Sequence, residues 1–103
     1  MKVIKPGLTY DLQNLDNSEA LQRIQFPHKE PNPDGSKNLI TIQDGTTNEE
    51  VIRMLIDRLN YQHSKFPSRE TALAITKQEE SLMWLEKRTA DRKKRGVEGQ
   101  HKA

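Results

Sequence analysis

The polar and apolar positions after residue 46 follow two helical patterns. The first begins at Thr47, and Glu50 follows three residues later, a spacing typical of a capping box. It predicts a helix that continues to about His63 or Ser64. Its apolar residues recur once per turn and so form one stripe, which comprises Val51, Ile52, Leu55, Ile56 and Leu59.

The second pattern extends from Ser68 to Arg92 without a glycine or a proline, and it predicts one long helix that ends before Gly96. Ser68 follows Pro67 and can cap the first free N–H groups. The connection between the helices is short, so we expect an antiparallel hairpin. The stripe predicted to face inward on the long helix comprises Ala72, Ile75, Thr76, Glu79, Leu82 and Met83.

Shorter patterns precede the helices. Leu8, Tyr10 and Leu12 alternate with polar residues, as in a half-buried strand. Residues 20–26 and 39–42 predict two further strands, separated by a proline- and glycine-containing turn. We therefore expect a single α+β domain in which a small N-terminal antiparallel sheet precedes a two-helix antiparallel hairpin. The expected parts are a sheet in residues 1–45, the hairpin in residues 46–95 and a flexible tail in residues 96–103.

The composition limits the size of the core. The chain has 103 residues, of which 32% are hydrophobic and 5% aromatic. A domain of this length buries a limited share of its surface, and a long helix then has little to pack against. We therefore expect the protein to be a homo-oligomer.

Charge and cysteine content narrow the classes of protein. The net charge is +2, with five Lys/Arg against six Asp/Glu up to Thr46 and twelve against nine after it. There are no cysteines, which excludes disulfides and thiolate metal sites and fits a reducing cytoplasm. No segment is apolar and long enough to be a signal peptide or a membrane span.

The basic residues near the end of the long helix are the first candidates for a binding site. Arg88, Arg92 and Arg95 share one helical face, and guanidinium groups on a rigid helix suit phosphate oxygens. Spacing alone favours a solvated basic tail instead, stabilised by the helix dipole. Trp84, the only tryptophan, can stack a base, although packing in a core or a subunit interface is the more common role.

Catalytic and metal sites are not indicated. Glu79 and Glu80 are neighbours on a helix and point in different directions, so they do not form an acid–base pair. The three histidines, His28, His63 and His101, lack metal-ligand spacing. The chain has no glycine-rich phosphate loop and no nucleophile motif. We expect a protein that is not an enzyme, with no catalytic residue, no metal and no cofactor.

Residues 66–84 carry a resemblance to known proteins. This segment, FPSRETALAITKQEESLMW, is similar to the second helix of a hairpin domain shared by two phage families. These families are the anti-CBASS cyclic-nucleotide sponges and the Thoeris anti-defence sponges. The opening VIKPG at residues 3–7 and the ending RTADRKKRG at residues 88–96 resemble the Thoeris family.

The resemblance implies a function and a site. Thoeris sponges bind a host alarm signal, glycocyclic ADP-ribose, at a subunit boundary without cutting it, and some assemble as hexamers that also hold cyclic di- or trinucleotides. Such a protein would act in the cytoplasm of an infected bacterium, away from membranes and nucleic acids. By resemblance, Arg88 and Arg92 would grip the pyrophosphate, and Tyr61 or Phe66 of a second chain would face the adenine. Arg69 and Thr71, at the start of the long helix, complete the predicted ligand-binding set.

Two other functions stay open at this point. A cyclic-nucleotide hydrolase would use the carboxylate-rich long helix. A small nucleic-acid-binding module would use the basic ending and the pI near 9.0, although the weak net charge argues against it.

Overall fold

The computed structural model describes residues 1–19 and 21–96, in which five short strands precede two long helices. The elements are β1 (Lys2–Lys5), β2 (Thr9–Gln13), β3 (Leu21–Gln25), β4 (His28–Pro31), β5 (Leu39–Gln43), α1 (Asn48–Lys65) and α2 (Arg69–Lys94). The α+β class is confirmed. The described residues divide into two compact units: those up to residue 47, the β unit, and residues 48–96, the helical hairpin. Beyond Gly96 the predicted tail lies outside the described residues.

The β unit contains more strands than the sequence predicts. Strands β1, β2 and β3 form an antiparallel sheet with β2 in the middle, whereas β4 and β5 pair separately. The sequence does not predict β4 because its four residues, His28 to Pro31, are polar or proline and show no apolar alternation. A two-stranded pair is marginal by itself, so β4 and β5 depend on the rest of the unit.

The centre of the three-stranded sheet is polar. Thr9 and Asp11 of β2 are 3% and 7% exposed, while Leu8, Tyr10 and Leu12, the predicted inner face, are half-buried. Asp11 lies opposite Arg23, whose guanidinium donates to both carboxylate oxygens at 2.8 and 3.0 Å. These hydrogen bonds hold the pKa of Asp11 below its usual range. A bidentate ion pair therefore stabilises the middle of a sheet that has few apolar residues.

Gly45 lies where the chain leaves β5 and passes β3. A Cβ atom at this position would overlap the carbonyl oxygen of Gln25 and lie 2.6 Å from the carbonyl carbon of Phe26. The same carbonyl of Gln25 accepts a hydrogen bond from the N–H of Thr46 at 2.8 Å. Backbones approach this closely only at glycine, so Gly45 fixes the second strand pair against the first sheet.

The helical hairpin packs through one line of residues on each helix, which we call the seam. Its positions are spaced alternately by three and four residues, the spacing of a coiled coil. All of these positions are buried or half-buried, and Ile75 is the only buried apolar residue in the part of the chain that the structure describes. The seam consists of Glu49, Ile52, Ile56, Leu59 and His63 on α1, and Thr71, Ile75, Gln78, Leu82, Leu85, Thr89 and Arg92 on α2.

The predicted inward stripe of α2 is partly wrong. Ile75 and Leu82 lie in the seam, but the other members are exposed: Ala72, Thr76, Glu79 and Met83. Several seam positions carry polar side chains, so the apolar pattern pointed to a stripe rotated away from the true one. The helix bounds are close to those predicted: α1 ends at Lys65 and α2 at Lys94.

Candidate functional site

Arg88 and Arg92 lie one turn apart near the end of α2, but their surroundings differ. Arg88 is exposed, whereas Arg92 is 5% exposed and belongs to the seam. Basic residues in this last turn also interact favourably with the helix dipole. Burial costs an arginine part of its hydration, and guanidinium groups are well suited to binding the oxygens of a diphosphate. The geometry is compatible with an anion site at this end of the hairpin.

Arg95 and Trp84 occupy other positions. Arg95 caps the helix, with its backbone N–H donating to the carbonyl of Asp91 at 3.0 Å. The Trp84 side chain lies outside the seam and is 57% exposed. Within one chain it is therefore not a core residue, which leaves the interface and base-stacking interpretations.

Tyr61 and Phe66 lie at the opposite end of the hairpin, close to the turn. Tyr61 is 58% exposed and Phe66 is 85% exposed, so neither fills the space between the helices. The Arg58 guanidinium carbon lies 5.8 Å from the centre of the Tyr61 ring, and the Lys65 ammonium lies 5.6 Å from it. These separations are typical of cation–π contacts.

The start of α2 is organised by a short hydrogen-bond chain. The Ser68 hydroxyl accepts from the N–H of Thr71 at 3.1 Å and donates to the Thr71 hydroxyl at 2.8 Å. The N–H of Ser68 donates to Nδ1 of His63 at 3.4 Å, which links the two helices. This confirms Ser68 as the cap. Thr71, half-buried in the seam, is already part of the cap, while Arg69 beside it is exposed.

The structure brings only some of the predicted ligand-binding residues together. Tyr61, Phe66, Arg69 and Thr71 cluster near the turn. Arg88 lies about 25 Å from Thr71 along the helix axis, given a rise of about 1.5 Å per residue. A single chain therefore does not place both arginines beside the aromatic residues.

Arg53 and the surface around it were not predicted from the sequence. The Arg53 guanidinium donates to Glu86 at 3.1 Å across the helices and to Glu50 at 3.2 Å. Both contacts raise the pKa of Arg53, with the hydrogen bond to Glu86 contributing most. A shallow groove of about 550 Å³ lies alongside, lined by Arg53, Ile56, Asp57, Asn60, Glu79, Leu82, Met83 and Glu86. The helical spacing of these polar positions on the two helices was the only signal that could have revealed it.

Two further observations limit the chemistry of the described residues. No cluster of three or more histidine or carboxylate side chains there could hold a metal ion. Within residues 1–19 and 21–96, neither helix is apolar enough to cross a membrane. The Glu79 and Glu80 carboxylates diverge as predicted, since Glu80 pairs with Lys77 at 3.7 Å while Glu79 lines the groove.

Comparisons with known proteins agree with this architecture. The model of the Acb2/Tad1 hairpin domain matches residues 16–90, which include strands β3–β5 and most of both helices. The chain is 61% identical over 59 residues to a protein of Bacillus phage SBSphiJ7 named Thoeris anti-defense 1. That match covers 56% of this chain and 42% of the relative, so the chain spans less than half of the relative's length. Because the hairpin-domain model matches well over half of its residues, this chain belongs to the Acb2/Tad1 hairpin-domain family.

Proposed function

We propose that this chain is a phage anti-defence protein that sequesters a signalling nucleotide, glycocyclic ADP-ribose, without cleaving it. Family membership and the name of the 61% identical relative support the anti-defence role. The chain would act in the cytoplasm of the infected host, where the signal is made, and would prevent the Thoeris effector from being activated.

The pair Arg88 and Arg92 is the observation that carries the proposal of a nucleotide ligand. One guanidinium is exposed and the other is held in the seam one turn away. A pyrophosphate has enough oxygens for both, and arginine binds such groups in a bidentate manner. The proposal assigns to these residues binding alone, and it includes no catalytic group.

The proposed pocket needs a second copy of the chain, because its arginines and its aromatic residues lie near opposite ends of the hairpin. If two hairpins lie antiparallel, the arginines of one approach Tyr61, Phe66, Arg69 and Thr71 of the other. Trp84, which is exposed one turn before Arg88 on α2, would then be covered in the dimer. We propose the dimer as the minimal unit. Sedimentation of the same preparation also tests assembly to a hexamer, and equilibrium dialysis tests whether cyclic di- or trinucleotides are held at separate sites.

A capture experiment tests the proposal. The protein is incubated with glycocyclic ADP-ribose, free ligand is removed by filtration, and the protein is then denatured by heat. Mass spectrometry should find intact ligand free in solution only after denaturation. Ligand that stays in the filtrate throughout would contradict sequestration, and a product of altered mass formed with turnover would identify a hydrolase instead.

A charge reversal tests the placement of the site. Arg92→Glu should abolish capture because it places a carboxylate where the pyrophosphate would bind. Arg88→Glu repeats the test at the exposed member of the pair, and Lys94→Glu, exposed in the same turn as Arg92 and outside the seam, controls for the change of charge. Unchanged capture by Arg92→Glu moves the site elsewhere. Sedimentation of the loaded protein as a monomer would contradict the two-chain pocket.

Salt-sensitive binding of duplex DNA would favour the nucleic-acid module. A gel-shift titration at low salt therefore belongs in the same series. We expect no retardation, because the net charge of the chain is only +2.

A further inference from the structure

Tyr61 is held between two cations of its own helix. Arg58 precedes it by three residues and Lys65 follows it by four, so both side chains lie on its face of α1. The charged groups lie 5.8 and 5.6 Å from the ring centre. Phe66, 85% exposed, follows immediately in the turn. The turn end of the hairpin therefore presents a cationic, aromatic surface to solvent.

A ligand can replace the cations that lie against the Tyr61 ring. Cation–π contacts at exposed sites are weak, so either cation can leave the ring at little cost. A nucleobase can stack on the vacated ring, and the displaced Arg58 and Lys65 can then contact a phosphate attached to that base. A ligand with only a base would displace the cations without giving them a new partner.

We propose that Arg58 and Lys65 are specificity-determining residues that make the Tyr61 surface select an aromatic base carrying a phosphate over the same base without one. This inference rests on the proposed function, because Tyr61 belongs to the proposed nucleotide site. It adds two cations on the turn side of the pocket, opposite the arginines of the second chain.

Equilibrium dialysis of AMP and adenosine against the full-length protein tests the selection directly. The wild type should bind AMP more tightly than adenosine, and the preference should weaken as salt is raised. In the double variant Arg58→Gln, Lys65→Gln, AMP affinity should fall roughly tenfold, or about threefold per charge. Adenosine affinity should stay the same or increase, because the ring is no longer occupied. A purely structural role would weaken both ligands equally.

The double variant Lys29→Gln, Lys37→Gln removes two exposed positive charges from the β unit, controls for net charge and should leave the preference unchanged. Tyr61→Leu should weaken both ligands, since it removes the stacking surface. Equal binding of AMP and adenosine by the wild type, or an unchanged AMP preference in the double variant, would overturn the inference.

The capture assay separates this inference from the proposed function. If the wild type captures glycocyclic ADP-ribose and the double variant retains its AMP preference, only the inference fails. If the wild type captures no glycocyclic ADP-ribose but the double variant loses its AMP preference, the sequestration proposal fails and the selective surface stands.

Discussion

The β unit and the helical hairpin are stabilised in different ways, although both have few apolar residues. In the β unit, single contacts are decisive: a bidentate ion pair between Asp11 and Arg23, and a backbone approach that only Gly45 permits. In the hairpin, many partly buried positions along the seam each contribute a little to stability, and Ile75 alone among the described apolar residues is buried. We therefore expect the β unit to respond sharply to a few substitutions and the hairpin to respond gradually to many.

The largest effect is expected at Gly45. Gly45→Ala should destabilise the β unit by about 3 kcal/mol or more, because the new methyl group overlaps backbone atoms that cannot move independently. Gly35→Ala is the matched control. Gly35 has a φ of +82° but open space around it, so this change should cost only about 1–2 kcal/mol.

Amide hydrogen exchange measures the local stability of both glycine variants. In Gly45→Ala, protection should be lost in the β unit, including the N–H of Thr46, while the seam of the hairpin keeps its protection. Equal loss in the two glycine variants would show that the backbone approach at Gly45 is not decisive.

Truncation of the seam is expected to have the next largest effect. Ile75→Ala should cost about 2–4 kcal/mol, since it removes the one buried apolar side chain of the described hairpin. Leu73→Ala, at a side chain 46% exposed on the same helix, should cost less than 1 kcal/mol. Thermal denaturation followed by circular dichroism at 222 nm compares them. Equal losses would mean that the seam is not where the hairpin derives its stability.

The cap of α2 should have a moderate effect. Ser68→Ala removes the acceptor of the Thr71 N–H and should cost about 1 kcal/mol. Ser68→Asp should restore most of that loss because a carboxylate also caps a helix. Ser81→Ala, in the exposed middle of α2, should be neutral or slightly stabilising. Chemical denaturation ranks the three variants, and a failure of Ser68→Asp to recover stability would show that the hydroxyl has another role.

The smallest expected effect is a loss of stability of the β unit at acidic pH. The folded pKa of Asp11 is lowered by Arg23, so the stabilisation is present above the ordinary value of 3.8 and is lost as pH falls through the folded pKa. The β unit should therefore weaken below about pH 4. Asp11→Asn should be less stable at neutral pH, and its stability should depend less on pH in that window. The stability of β2 is measured by hydrogen exchange as a function of pH. If the wild type and Asp11→Asn show the same dependence on pH, this role of the ion pair is contradicted.

The sequence predicted the hairpin well because helical periodicity, a cap and a proline are local signals. The seam was harder to locate, since polar residues such as Gln78 and Thr89 occupy inward positions while Met83 lies outside. Strand β4 has no apolar alternation, and the central position of Asp11 depends on a partner twelve residues away. Long-range pairing of this kind leaves no local pattern.

The candidate site was predictable only in part. Arg88 and Arg92 were identified by residue type and spacing, and the structure shows how differently they are exposed. Arg58 and Lys65 were missed because their relevance comes from the position of their charges around Tyr61, not from a motif. The proposed pocket also depends on how two chains assemble, and the pattern of residues along one chain does not predict that assembly.

The mixed polar and apolar seam has a consequence for how such hairpins can evolve. Deleting or inserting one residue within a helix would rotate every later position by about 100°, turning Ile75 or Leu82 toward water. Length changes should therefore be confined to the turn before Ser68 and to the connections between strands. Within the helices, homologous hairpins should diverge by replacement and keep the same number of residues from cap to end.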